Sequence, residues 1–333
     1  MKAAQLNKYD NNFKLVINDI PVPDIQKDEV LIKLKVAAVN PLEQLIGTGS
    51  VKLIQDYPMP LTMGNELTGV IEKVGEDVRS FEIGDAIYTR LPIAKIGGFA
   101  EYVAVSADAV APLPSNLNFE TGSAAALTGL TAYQGLNEEL EAKSGEIVFI
   151  PGGSGSFGQL AIPIAKSMGL TVIVSGDASS KDRILNLGAD EYIAFETQNY
   201  WEIINEVDYV IDTLGPNEFE HELSIIKEGG RLLSLRTGPN KQFAIDHNLN
   251  FLKKKLFTAA GLKFDRKAKE KNVQYRFIFV RSDGDQLRKI SQIIEDNNIV
   301  PAIDPTEFHI ENINEALDLV FNGHPKGKVV IKF

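Results

Sequence analysis

The 333-residue chain contains no cysteine. That absence removes disulfides, thiolate nucleophiles and cysteine-ligated metal together, and it fits a reducing compartment. Histidine is nearly as scarce: His221, His247, His309 and His324 are scattered without the clustering that a zinc site needs. No window approaches the roughly 18 uninterrupted apolar residues of a membrane span. The opening MKAAQLNKYDNNF lacks the apolar core of a signal peptide. Basic charge is also in deficit, with 34 Lys and Arg against 45 Asp and Glu and a net charge of −11. This argues against an electrostatic grip on nucleic acid or an anionic membrane. The one basic run, Lys253-Lys254-Lys255, reads as a solvated face. A cytoplasmic protein with neither nucleic acid nor membrane as partner is expected.

What is present divides the chain in two, as its length predicts, since single cores stop growing at about 250–300 residues. The first third has the period of two. EVLIKLKVAAVN places Val30, Ile32, Leu34 and Val36 on one face and Lys33 and Lys35 on the other. TGVIEKVGEDV, GDAIYTR and GFAEYVAVSADAVAPLP continue in short strands punctuated by glycine and ended by proline. From about Thr121 apolar runs alternate with amphipathic ones: EIVFI, TVIVS, EYIAF, VDYVIDT and GRLLSL read as strands with helices between them. That rhythm predicts a doubly wound parallel sheet with helices on both faces. YRFIFV adds a late strand. A helix over GDQLRKISQIIEDN and a closing strand GKVVIKF complete the chain.

The segment VFIPGGSGSFGQLAIPIAKSMG (Val148–Gly169) concentrates five glycines between a strand and a helix. Gly153, Gly155 and Gly158 match G-x-G-x-x-G, in the setting that a dinucleotide site requires. Glycine permits the turn, lets the backbone approach a pyrophosphate and lets the helix sit close to the sheet, while the helix N-terminus favours the anion. Pro163 falls inside that helix and is expected to kink it downstream of the phosphate-binding turn. At the next strand end, Ser175 and Gly176 stand where an NAD site carries an acid. Ser179, Ser180 and Lys181 follow and suit a 2′-phosphate, which favours NADPH. Two alternatives stay open: Asp177 reaching the ribose hydroxyls, which favours NADH, and Ser-Ser-Lys as a mere helix cap.

The order of these parts resembles the medium-chain dehydrogenase/reductases, in their zinc-independent quinone oxidoreductase (zeta-crystallin-like) branch. The resemblance covers essentially the whole chain. It rests on AAVNPLE (Ala37–Glu43), GNELTGVIEKVGEDV (Gly64–Val78), GDAIY, GGFAEYVAV, LTGLTAYQGL, the glycine loop, LGADEYI, DTLG, EGGRLLSL and GHPKGKVVIKF. The zinc-dependent branch has a histidine where this chain has Asn65.

The resemblance implies a Rossmann domain over 123–282 and a β-rich GroES-like catalytic domain made of 1–122 and 283–333, paired as a homodimer through the YRFIFV edge. It implies that Asn40 lies beside the nicotinamide and donates to an acceptor oxygen; a turn residue before Pro41 is the equal alternative. Thr131, Ser154, Ser156, Phe157, Leu214, Gly215 and Lys328 join the expected cofactor contacts. Tyr57 is displaced from the position of a proton-donating tyrosine and is expected to pack. The implied activity is NADPH-dependent hydride delivery, without zinc, to a small apolar quinone or an α,β-unsaturated carbonyl. A 2-alkenal or enoyl reductase with a defined metabolite, or a non-catalytic NADPH-binding redox sensor, are the alternatives.

Overall fold

The computed structural model describes residues 1–333, which fall into two compact units: Met1–Leu130 with Arg281–Phe333, and Thr131–Val280. The first boundary lies eight residues beyond the expected 122/123. The reason is local. Gly129 packs so tightly on Ile290 that an added Cβ would stand 2.9 Å from its Cγ2, and the Leu127 N–H is bound by Glu66 at 2.6 Å.

The first unit is built on Glu29–Ala38, whose alternation survives in three dimensions. Val30, Ile32, Leu34 and Val36 are buried, and Lys33 and Lys35 are exposed. This strand pairs antiparallel with Glu66–Val74, Tyr102–Ser106 and the closing strand Val330–Lys332. Ala86–Arg90 and Val110–Pro112 extend the sheet on one side and Phe308–His309 on the other. A smaller sheet joins Val16–Asp19, Lys2–Leu6 and Leu61–Thr62. The helix Gly284–Asp296 is held by the Tyr88 hydroxyl, which donates to the Leu287 carbonyl at 2.7 Å.

The second unit is a parallel sheet of six strands. Taken across the sheet they are Glu191–Ala194, Thr171–Gly176, Ile147–Ile150, Val207–Asp212, Ile226–Ser234 and Gln274–Phe277. In chain order this is 3-2-1-4-5-6, the dinucleotide-binding arrangement. Its central strands, Ile147–Ile150, Thr171–Gly176 and Val207–Asp212, read as largely apolar, buried runs because helices cover both faces. Phe149 lies against Tyr200 with ring centroids 4.7 Å apart, among buried Val210, Phe219 and Leu232. The strand order reverses between Ile147–Ile150 and Val207–Asp212. The loops leaving those two strands, 151–157 and 213–215, therefore diverge at the carboxyl edge, where such sheets bind ligands.

Pro163 sits buried in the continuous helix Gly158–Ser167. The sequence pattern announces no element over 241–270, where helices Lys241–Asp246 and Phe251–Glu270 form.

Candidate active site

The glycine loop explains its own composition. Gly152, one residue before the fingerprint, is the glycine in the left-handed region, at φ +64°. A side chain there would strike Leu214 and Thr213 at 2.7 and 2.8 Å. The Thr213 hydroxyl donates to the Pro151 carbonyl at 2.6 Å, so the two switch-point loops are tied together. A Cβ at Gly153 would lie 2.8 Å from Val174, and one at Gly158 only 1.8 Å from the Gly153 carbonyl. Both glycines serve packing. Gly155 differs. Its nearest neighbour would be the Gly152 carbonyl at 3.9 Å, and the residue is exposed. Packing gives no reason for glycine there, whereas a pyrophosphate lying on the backbone does. Ser154, Ser156 and Phe157 complete the turn, half-buried, and no side chain caps the helix that begins at Gly158. Leu214, 47% exposed, and Gly215, at φ +101°, form the facing loop.

That facing loop rests on a buried acid pair. The Asp212 carboxylate accepts from the N–H groups of Leu214 and Gly215 at 2.8 and 2.6 Å and from the Ser234 hydroxyl at 2.6 Å. Behind it lies Glu222, fully buried, whose oxygens meet no donor. Burial, and then the Asp212 charge, push the Glu222 carboxyl up to about 10, so it carries a proton toward Asp212 at neutral pH.

The tip of Thr171–Gly176 is occupied differently from expectation. The Ser175 hydroxyl accepts from the Gly152 N–H at 3.3 Å and so braces the glycine loop. A Cβ at Gly176 would collide with the Tyr192 hydroxyl and with Ser154. Ser179 and Ser180 both give their hydroxyl protons to Asp177, whose carboxyl is held below its ordinary range by those two bonds. The Tyr192 hydroxyl donates to the Asp177 carbonyl at 2.6 Å. The Asp177 carboxylate caps no backbone N–H and is instead taken up by the two serine hydroxyls. The cations remain: Lys181 is exposed, and Arg183 donates to the Ser154 carbonyl at 2.6 Å and to Ser180 Oγ at 3.1 Å. Arg183 and Tyr192 were missed. Arg183 was visible two residues after Lys181, and an arginine here is a recognised partner of a 2′-phosphate.

In the antiparallel unit the expected residues meet in a buried charged node. Asn40 caps the helix Pro41–Gly47, and Glu43 returns a carboxylate to its N–H at 2.7 Å. Its side chain turns inward. Oδ1 accepts from Lys328 Nζ at 2.5 Å, and Nδ2 donates to Glu66 Oε1 at 3.0 Å. The charges of Lys328 and Glu66 fix the amide's orientation. The second Nδ2 proton meets only the Ala38 carbonyl, at 3.4 Å. Lys328 was expected at the cofactor. Here it is 7% exposed, 2.6 Å from Glu66 and within 3.5 Å of Thr128 Oγ1. Thr131, half-buried, lies one turn beyond Thr128 on the helix Ala126–Gln134.

A second layer surrounds this node. Asn65 Nδ2 donates to Glu43 Oε1 at 2.7 Å, and burial pushes the Glu43 carboxyl up to about 7. Arg90, 1% exposed, carries the compensating charge and is itself pushed down to about 10 by burial. Its Nε and Asn65 Oδ1 have no partner. The Tyr57 hydroxyl donates to the Ile93 carbonyl at 2.8 Å and is pushed up to about 12, chiefly by burial. Packing is its role. The histidines are employed elsewhere: His221 stacks on Trp201 at 3.8 Å, and His247 lies against Phe243. No three His, Asp or Glu side chains group as metal ligands.

Comparison with known proteins matches residues 26–115 to the alcohol dehydrogenase GroES-like domain and 187–331 to a family described as zinc-binding dehydrogenase. The chain is 31% identical to 2-methylene-furan-3-one reductase of Solanum lycopersicum, over 99% of this chain and 79% of that protein. It is 29% identical to the NADPH-dependent alkenal/one oxidoreductase, chloroplastic, of Arabidopsis thaliana, over 94% and 74%. The solved quinone oxidoreductase of Coxiella burnetii superposes with a TM-score of 0.80 at 26% identity, over 100% and 99% of the two chains.

Two outcomes follow from this geometry. Gly155→Val is expected to keep the wild-type melting temperature, because no atom stands in its way, and to lose NADPH and NADH alike in fluorescence titration. Retained binding would remove the pyrophosphate from this turn. The Glu222 proton gives a pH dependence. A carboxyl raised on folding contributes stability below its unfolded value and loses it as pH rises toward the folded one. Glu222→Gln places an amide donor in the same position, so its melting temperature is expected to fall less than wild type between about pH 5 and pH 9. Parallel falls would exonerate Glu222.

Proposed function

This protein belongs to the medium-chain dehydrogenase/reductases, in their zinc-independent quinone oxidoreductase branch, and we propose that it reduces small apolar quinones or α,β-unsaturated carbonyls with NADPH. The observation that carries the reading is the open backbone at Gly155, set at the switch point of a 3-2-1-4-5-6 sheet. When bound, NADPH supplies the hydride. The chain's own residues bind and orient. The 151–157 turn and the N-terminus of Gly158–Ser167 take the pyrophosphate, and the Asp212-braced loop lines the opposite side of the switch point. Lys181 and Arg183 take the 2′-phosphate through charge-assisted hydrogen bonds.

An acceptor that gains a hydride develops negative charge on its oxygen and then needs a proton. The weakly held N–H of Asn40 is the donor we assign to that oxygen, since Lys328 and Glu66 pre-set its direction and no reorganisation is needed. Tyr57 is not the acid, because its proton is given to Ile93. Water supplies it. The position of the catalytic zinc histidine is Asn65, whose Nδ2 is committed to Glu43, so the acceptor must already be electrophilic. Quinones and conjugated carbonyls meet that demand. The enal reductase reading is favoured by the tomato and Arabidopsis relatives. A homodimer through the free edge of Gln274–Phe277 belongs to the same proposal.

Single-turnover oxidation of NADPH against a panel of benzoquinones and 2-alkenals tests the activity. Reduction of at least one class is expected, and inertness toward every member would leave a cofactor-binding sensor instead. Titration tests the phosphate site. Lys181→Ala with Arg183→Ala removes two charge-assisted bonds of roughly 1.5–3 kcal/mol each and should weaken NADPH by about a hundredfold or more. NADH should change little by comparison. Equal losses of both would sink the assignment.

A further inference from the structure

The helix Phe251–Glu270 contradicts the charge of the chain that carries it. In a protein of net charge −11, it holds seven cations against Asp265 and Glu270, a local charge of +5. Of the seven, Arg266 and Lys267 meet a carboxylate, Glu270 and Glu220; the other five pair with none. The helix is also apolar on the wrong side. At roughly 100° per residue, Phe257, Gly261 and Ala268 fall together and are buried against the unit. The opposite arc interleaves Leu252, Leu256 and Leu262 with Lys255, Lys263 and Arg266. Leu252 is 67% exposed, Leu256 44% and Leu262 60%, with Phe251 at 73% beside them. Lys255 covers the Phe251 ring at 4.5 Å, as a cation tethered at the edge of an apolar strip.

Three kinds of surface could cover such a face, and they demand different things of it. A second copy of this chain, paired about a twofold axis, would set +5 against +5. A nucleic acid would use the cations and leave the leucines in water. An anionic bilayer uses both, taking leucine and phenylalanine into the acyl boundary while lysines and arginine lie among the headgroups. We propose that this face docks the protein reversibly on anionic phospholipid bilayers, with the helix lying in the plane of the surface. No helix is long and apolar enough to cross a membrane, so the attachment is peripheral. The net charge hid this, because it averages a basic helix over an acidic chain. The proposal needs neither NADPH nor an acceptor and stands apart from the catalytic reading.

The test is co-sedimentation of the full chain with vesicles of phosphatidylcholine alone and with about a third phosphatidylglycerol. The wild type is expected to sediment with the anionic vesicles only. At about 0.5 M salt, where screening shortens to a few ångströms, it should be released. Two variants that leave the buried side intact separate the contributions: Leu256→Ser with Leu262→Ser, and Lys255→Glu with Lys263→Glu. Each should lower the bound fraction about tenfold while keeping the wild-type melting curve. Failure of the wild type to bind anionic vesicles overturns the proposal, as does undiminished binding by both variants. So does a wild-type oligomer, seen by light scattering, that the leucine variant dissociates, because the face would then belong to a second copy.

Discussion

Glu66 is the residue on which the antiparallel unit converges. Its carboxylate is fully buried and accepts from three parts of the chain: Asn40 at the end of the central strand, Lys328 before the closing strand, and the Leu127 N–H at the start of a helix. A buried carboxylate is costly unless paired and hydrogen-bonded. Here its satisfaction requires all three segments to be in place together. Segments 288 residues apart, at Asn40 and Lys328, are brought to one point by that demand. The chain's return to its first sheet after Val280 is thus enforced by charge as well as by the pairing of Val330–Lys332 with Glu29–Ala38. The orientation of the Asn40 amide is a by-product of the same node.

The parallel unit uses a related device with the opposite protonation. Asp212 spends its oxygens on the backbone of the 213–215 loop and on Ser234, and a neutral Glu222 backs it. The loop is fixed without side chains reaching forward from it, which leaves the surface beside Gly152 and Gly155 to backbone and to Leu214. In both units a buried acid positions backbone or amide groups.

Much of this was legible in the sequence. The parallel sheet announced itself because helices on both faces require continuous apolar strands, and the glycine loop because Gly153 and Gly158 answer to steric demands that any reader can anticipate. The charged node was not. Glu66 and Arg90 lie at the ends of strands, where alternation marks a charged residue as outward-facing; only pairing over long separations buries them. Asn40 was found through its motif, while Glu43, three residues on, was not read as its reciprocal cap. Ser179 and Ser180 were read as ligand donors because a sequence shows the hydroxyls and the nearby Asp177 but not that both hydroxyls point at its carboxylate. The Phe251–Glu270 helix escaped because it buries so little: with Phe257, Gly261 and Ala268 as its inward side, it presents almost no apolar period.

The claim that Glu66 and Lys328 act as one unit is the most directly measurable. Glu66→Gln leaves a buried ammonium and Lys328→Met a buried carboxylate, each expected to cost about 3–5 kcal/mol in urea unfolding of the antiparallel unit. If the pair is the constraint, the double variant loses less than the sum by at least about 2 kcal/mol, since neither partner is then left uncompensated. Additive losses would show that the two charges are held independently and would contradict the account.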